Sequence, residues 1–405
     1  WSRACRLVSS CIWAKLADPV KALDEFVARA LSDLEGSGLL RQSHAGLRAA
    51  AEDSARALGR PVIDASSNDY LALAREGVSR ETLVQSRAPS GAGASRLIHG
   101  TDVRHVSLET DLARWVGLES ALLFATGYSA NVGLAQALGG PSSVFISDQL
   151  NHASIIDGCR LSRARVEVVP HLSLSAVERS LVEHSGAALR CVVTESYFSM
   201  DGDGPDLRSL RSLCDRHGAA LVVDEAHALG VFGPQGAGRC LEAGVVPDAV
   251  IGTLGKAVGV HGAFVAGSKG LRELLWNRAR SFVFSTAPSP LLAELARFHV
   301  QRAMVADEER LVLHQRAAAL RASLDERGLR TVAGSFGPIV PVMIGDERRA
   351  LGVVEGLAAQ GVLAQAIRPP TVSVGTSRVR LTAKANWSEE TPGVVASALA
   401  AVLRS

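Results

Sequence analysis

The sequence predicts an α/β fold, a mostly parallel central sheet with helices on both faces, followed by a smaller α+β domain toward the C-terminus. Two observations carry this expectation. Through the middle of the chain, short runs rich in Val, Ile, Leu and Ala alternate with stretches of helical periodicity, the arrangement of strands joined by crossover helices. The runs are near-continuously apolar, as in strands covered on both faces, where a half-exposed sheet would alternate. A third observation points to chemistry. Where such runs end, polar or turn-forming residues follow: Gly127 and Tyr128, Asp148, Glu195, Asp224 and His227, Thr253 and Lys256. In open α/β sheets, ligands bind beyond the carboxyl ends of the strands.

Taken in order, residues 1–19 ("WSRACRLVSSCIWAKLADP") carry no acid before Asp18 and lack the solid apolar block of a secretory signal. They are expected to be a leader or tag-like segment outside the fold. From Val20 a helical segment (20–65) places Leu23, Val27, Ala30, Leu31 and Leu34 on one face, and Gly36 and Gly38 stop the helix. The large domain is expected over 66–290, with strands at 121–127, 143–148, 166–171, 191–196, 220–227, 248–256 and 262–268. Two prolines in "STAPSPLLAE" then punctuate the chain. A long helical stretch (291–324) and strands at 337–345 and 377–383 make up the small domain, 291–405, packed with the N-terminal helix.

The composition narrows the function. With 405 residues, 47% hydrophobic and 21% charged, the chain is long enough for a large core and two domains. Lys plus Arg number 43 against 41 Asp plus Glu, a net charge of +2, and aromatics are only 4%. Neither nucleic acid nor a membrane surface is an expected partner. The six cysteines form no CxxC pair and no Cys/His cluster. They read as reduced thiols of a cytoplasmic protein, with neither a disulfide framework nor a metal site. No apolar run approaches the length of a membrane span.

The chemistry concentrates in "LVVDEAHALG" (221–230) and "GTLGKAVG" (252–259). A carboxylate at the end of a buried strand needs a positive partner, which makes Asp224 conspicuous. A lysine among small residues beside a cleft can be desolvated, and its amine then becomes nucleophilic near neutral pH. Pyridoxal phosphate meets both demands, because its aldehyde condenses with a lysine and its ring nitrogen needs an acidic partner to stay protonated. "FATGYSAN" (124–131) runs from a strand through Gly127 into a helix whose first N–H groups suit a phosphate. Thr253 can add a hydroxyl, and His152 follows another strand where it could stack on a ring. Nucleotide loops do not compete. In the Walker A pattern Val250 stands at the first Gly position and Ala257 follows the lysine, while "GAGASR" (91–96) lacks the third Gly of a dinucleotide fingerprint. Asp plus Lys alone would equally allow an aminotransferase or a β-eliminating lyase.

Beyond these residues the chain resembles the α-oxoamine synthases, fold-type I pyridoxal-phosphate enzymes. "SSNDYLAL", "GAGASRLIHGT", "LFATGYSAN", "DQLNHASIIDGCRLSRA", "VTESYFSMDGD", "VVDEAHALGVFGPQGAG", "GTLGKAVG", "RSFVFSTAPSP" and "AIRPPTVSVGTSRVRLT" occur in family order. The resemblance implies Lys256 as the Schiff-base lysine and Asp224 as the partner of the pyridine nitrogen. His227 and Ser199 would sit near the phenolic oxygen and His152 on the ring face. Gly127, Tyr128 and Thr253 would hold the phosphate, joined by Ser285 and Thr286 from a second subunit, so that the site spans a homodimer interface. Asn68 and Arg380 match positions that hold the amino-acid carboxylate, and Arg41 and Thr371 match substrate-contact positions.

Family members differ in the amino acid and the acyl thioester they join. "IRPPTVSVGTSRVRLT" is similar to the 8-amino-7-oxononanoate synthases of biotin biosynthesis, which condense L-alanine with a pimeloyl thioester of coenzyme A or acyl carrier protein. Glycine-using relatives, which usually lack the RPPT run, and secondary-metabolite acyltransferases are the alternatives. A non-catalytic partner subunit on this fold would lose the lysine, whereas Lys256 is present. The chain departs from the family at Ala72, where Gly is usual, at His261, where Ser or Gly is common, and at Trp387, which takes a His position.

Overall fold

The computed structural model describes residues 21–40, 45–77 and 87–404. The expected leader therefore lies outside the described residues, as does Arg41. After two helices, α1 (Lys21–Gly36) and α2 (Ala45–Ala57), the chain makes a short strand, β1 (Ile63–Asp64), and a third helix, α3 (Val103–Trp115), before entering the central sheet. That sheet contains β2 (Ser120–Phe124), β3 (Ser143–Asp148), β4 (Arg165–Val169), β5 (Leu189–Glu195), β6 (Ala220–Asp224), β7 (Ala249–Thr253) and β8 (Ala263–Gly267), in the order β2-β8-β7-β6-β5-β3-β4. Neighbours are parallel except at β8, which runs antiparallel to both β2 and β7.

All seven expected strands form, six of them with a trimmed carboxyl end. The 121–127 run stops at Phe124 because Thr126 caps α4 (Gly127–Leu138), its side chain and that of Ser129 each taking the other's backbone N–H. Both faces of the sheet are covered, as continuous apolar strands require. Val193 and Val222 pack with Ala130 and Leu134 of α4 and with Ile155 of α5 (Ala153–Leu161). Their sequence neighbours Val192 and Val223 pack with Leu181 of α6 (Leu174–Glu183) and Leu210 of α7 (Leu207–His217). Gly158 lets α4 and α5 close up, since a Cβ there would lie 3.0 Å from the Asn131 carbonyl oxygen and 3.1 Å from Ala135 Cβ.

After α8 (Lys269–Arg278), the expected single helix over 291–324 is two, α9 (Pro290–Met304) and α10 (Asp307–Asp325). Buried Arg310 accounts for the break. Its guanidinium donates to the carbonyls of Ala303 at 2.5 Å and Met304 at 3.1 Å, which satisfies the end of α9 and turns the chain. A three-stranded antiparallel sheet follows, built from β9 (Ile339–Gly345), β11 (Gln365–Ile367) and β12 (Ser377–Thr382), with β10 (Val362–Leu363) paired to β1. Helices α11 (Glu347–Ala358) and α12 (Thr391–Arg404) complete the chain. The N-terminal helix departs from expectation. Helix α2 packs on α11 and β10, whereas Leu23, Phe26, Val27, Leu31 and Leu34 of α1 are exposed. Arg368 ties the turn after α1, donating to the Gly38 and Leu40 carbonyls. Among the described residues, no helix is long and apolar enough to cross a membrane.

Two loops at the carboxyl edge are clasped by His171, which bridges Asp148 at 2.8 Å and Asp203 at 3.0 Å. Burial alone would push its pKa down, but hydrogen bonds to the two carboxylates outweigh this and lift it to about 10. A folded pKa above the unfolded value means that the clasp stabilises fully below about 6.5 and that this contribution is lost as pH rises through about 10. The stability gap between wild type and His171→Gln in urea should therefore shrink between pH ~7 and ~10. A gap that widens with pH would contradict the clasp.

Candidate active site

Five strand ends deliver side chains to one cleft. Asp224 closes β6 and is 6% exposed. Its Oδ1 accepts the Ala226 N–H at 2.8 Å, and its Oδ2 accepts Asn131 Nδ2, also at 2.8 Å. Both donors are neutral, so among the described residues the buried carboxylate has no bonded cation. The adjacent Glu225 points the other way, as alternation requires, and serves the scaffold. It accepts from Ser196 Oγ and from the backbone N–H groups of Arg239 and Cys240.

Lys256 lies in the link between β7 and β8. Among the described residues its amine makes no ion pair, and desolvation lowers its pKa despite the opposing pull of Asp224 and Glu195. Glu195, at the end of β5, is buried beside Asp224. Desolvation first, and that neighbouring carboxylate second, push it up to about 8, while its Oε1 accepts the His152 N–H at 2.7 Å. His152 caps α5 through Ser154, and Ser154 Oγ in turn accepts from Asn131. A chain of polar contacts thus runs from His152 through Ser154 and Asn131 to Asp224. Desolvation also lowers the His152 pKa although the residue is exposed at the cleft edge; Asp224 pulls it up and Lys256 pushes it down.

The small sheet supplies the other wall. Arg380 on β12 is 2% exposed. Its Nε donates to the Ser199 carbonyl at 2.7 Å, and its Nη2 donates to Asn68 Oδ1 at 2.9 Å and to Tyr70 Oη at 3.4 Å. Tyr70 Oη lies 2.6 Å from His227 Nδ1. Burial, then the charges of Lys256 and Arg380, push the His227 pKa well down. The segment carrying Asn68 and Tyr70 ends at Ala72, which adopts a left-handed conformation with φ 62°. An L residue costs roughly 1–2 kcal/mol there, a cost that Gly would avoid. Ala72→Gly should raise stability by about 0.5–1 kcal/mol once the added freedom of the unfolded chain is subtracted. A lower urea midpoint would refute that account.

Gly127 faces Thr253, since a Cβ there would come 3.8 Å from Thr253 Cβ. The backbone N–H groups of Gly127 and Tyr128, in the first turn of α4, have no protein acceptor among the described residues. This is the chemistry of an anion cradle. The Tyr128 ring itself points outward, with Oη 2.5 Å from Asp157 Oδ2. Ser199 enters through its carbonyl. Ser285 and Thr286 are exposed, Thr286 bridging Ser95, and do not touch the groups above. Thr371 is exposed after the cis Pro369–Pro370 bond, its N–H on the Arg368 carbonyl. His261 is exposed and Trp387 is buried, its carbonyl held by Arg316 Nε at 3.0 Å. Sequence reasoning missed Tyr70, Asn131 and Ser154. Asn131 sits one helical turn after Gly127, a spacing that could have exposed it.

Residues 60–399 match the family described as aminotransferase class I and II. The chain is 43% identical over 386 residues to 8-amino-7-oxononanoate synthase of Anaeromyxobacter dehalogenans, covering 94% of this chain and 96% of that protein. The Geobacter sulfurreducens protein of the same name is 43% identical over 376 residues, 90% of this chain and 94% of its own. Among solved structures, the Sphingomonas wittichii serine palmitoyltransferase superposes with a TM-score of 0.83 at 27% identity, covering 96% of this chain and 98% of that one. A structure described as SPT with PLP gives 0.80 at 30% identity, covering 85% of this chain and 88% of that one. The chain belongs to the aminotransferase class I and II family of fold-type I enzymes and, within it, to the α-oxoamine synthases.

Proposed function

We propose that this protein is a pyridoxal-phosphate-dependent acyltransferase that joins L-alanine to a pimeloyl thioester, releasing carbon dioxide and the free thiol and yielding 8-amino-7-oxononanoate. One observation carries the reading: a buried carboxylate, Asp224, and a desolvated amine, Lys256, share a pocket with a buried guanidinium, Arg380, in a chain 43% identical to enzymes of that name. The residues present suit the cofactor. Among the described residues, Asp224 has no bonded cation, the amine has no ion-pair partner, and the Gly127–Tyr128 turn offers N–H donors without a protein acceptor.

Lys256 would hold the aldehyde carbon, Asp224 the ring nitrogen, and Gly127, Tyr128 and Thr253 the phosphate. When bound, the cofactor supplies an electron sink for the α-carbon. The chain's own groups do the rest. Arg380 and Asn68 hold the amino-acid carboxylate, and Lys256 Nζ takes and returns the α-proton. Its lowered pKa keeps more of the amine in the neutral, proton-accepting form. His152 would cover the ring face, and His227 with Ser199 would lie toward the phenolic oxygen. Ser285 and Thr286, exposed on this chain, reach the phosphate of a second copy in a homodimer. Arg41 and Thr371 contact substrate. The thioester is carried by coenzyme A or an acyl carrier protein. The fold divides near residues 65 and 290 into an N-terminal segment, a large domain and a small one. The free, buried Cys159, Cys191, Cys214 and Cys240 suit a reducing cytoplasm.

The test is a visible-absorption titration of the cofactor-loaded protein with L-alanine, glycine and L-serine, followed by mass spectrometry of the product formed with pimeloyl thioester. Saturation by L-alanine at the lowest concentration is expected. Preference for glycine would place the protein with the glycine-using relatives. Preference for L-serine would support the second reading, which rests on the serine palmitoyltransferase match at a TM-score of 0.83.

A further inference from the structure

We propose that Tyr70 sets the proton on His227: the phenol donates to Nδ1, and the imidazole keeps its single proton on Nε2 as the donor it offers a ligand. The hydrogen-bond inventory around Tyr70 forces this order. Tyr70 is fully buried, with Oη 2.6 Å from His227 Nδ1. The other group at that oxygen is Arg380 Nη2 at 3.4 Å, and a guanidinium only donates. The phenolic proton therefore has one acceptor among the described residues, His227 Nδ1. The reverse order, with Nδ1–H donating to the phenol, would leave the Tyr70 proton buried without an acceptor, at a cost of about 1–3 kcal/mol. A doubly protonated ring is disfavoured by burial and by the positive charges of Lys256 and Arg380. The phenol stays a donor at neutral pH, because burial raises its pKa to about 12.

Tyr70 is thus a positioning residue. It couples the guanidinium that also holds Asn68 to the imidazole across the cleft. The identity of the ligand that takes the Nε2 proton, the cofactor's phenolic oxygen, rests on the proposed function; the tautomer does not.

The experiment uses the cofactor-free protein labelled with [15N]histidine, with His227→Gln to assign the resonance. In the wild type, Nδ1 should appear unprotonated and Nε2 protonated. In Tyr70→Phe the fixed pattern should give way to a mixture of tautomers. A wild-type proton on Nδ1, or an unchanged single tautomer in Tyr70→Phe, would overturn the assignment, and the first of these does not need Tyr70→Phe to fold. In the loaded protein, Tyr70→Phe should shift the pH midpoint of the visible band by about one unit, the scale of one hydrogen bond. An unmoved midpoint would overturn the link to the ligand. If the wild type forms no visible band with pyridoxal phosphate, the cofactor reading fails, and the tautomer is still decided by the cofactor-free spectra.

Discussion

Asp224→Asn is expected to keep the fold and to lose turnover by on the order of 10²–10³-fold, the usual scale for removing one preorganised electrostatic partner. The side chains are nearly isosteric. The new amide can still accept the Ala226 N–H, and a flip of Asn131 presents an oxygen to its NH₂ group. The variant lacks the charge that holds a ring nitrogen protonated, where each pKa unit is worth about 1.4 kcal/mol. Removing this anion should also lower the Lys256 pKa further, because Asp224 is the largest influence raising it. The decisive comparison is thermal unfolding beside single-turnover rates. Normal turnover in a folded variant would sink the assignment of Asp224.

Arg380→Lys carries the second large effect, and it is double. The guanidinium spans the Ser199 carbonyl, Asn68 and Tyr70, three acceptors on two segments. An ammonium cannot reproduce that fork, and bonds to charged groups are worth about 1.5–3 kcal/mol each. Loss of one such bond to the amino-acid carboxylate should raise KM for L-alanine by roughly 10–100-fold. Stability should fall as well, since Asn68 and Ser199 lose a buried donor. An unchanged KM with lowered stability would leave Arg380 a purely structural residue.

Much of this site was legible in the sequence because several of its main groups follow apolar runs. Asp224, Lys256 and Gly127 follow strands whose burial on both faces is written in continuous Val, Ile, Leu and Ala. Tyr70 was not legible in that way. It lies in a loop with no long strand beside it in the sequence, and its contacts with His227 and Arg380 exist only in the folded chain. Asn131 and Ser154 look like ordinary helix residues until α4 and α5 close up at Gly158. The break between α9 and α10 was hidden for a related reason. Apolar spacing continues through it, and the signal is a single Arg310 bonding to carbonyls six and seven residues back. Helix α1 shows the limit of periodicity, which gives a helix and its apolar face but not what that face meets.

The antiparallel strand β8 has a mechanical consequence for Lys256. At the ends of β2, β3, β4, β5 and β8 the chain leaves for a helix, so a side chain there inherits any movement of the helix layer. After β7 the chain instead turns straight back into the sheet, closed by the bonds Leu254 N to Gly262 O and Val260 N to Leu254 O. The lysine is moored at both ends to adjacent strands, like a span between two piers. Packing changes in the helices can loosen the cleft rim while the amine's anchor points stay fixed relative to Thr253.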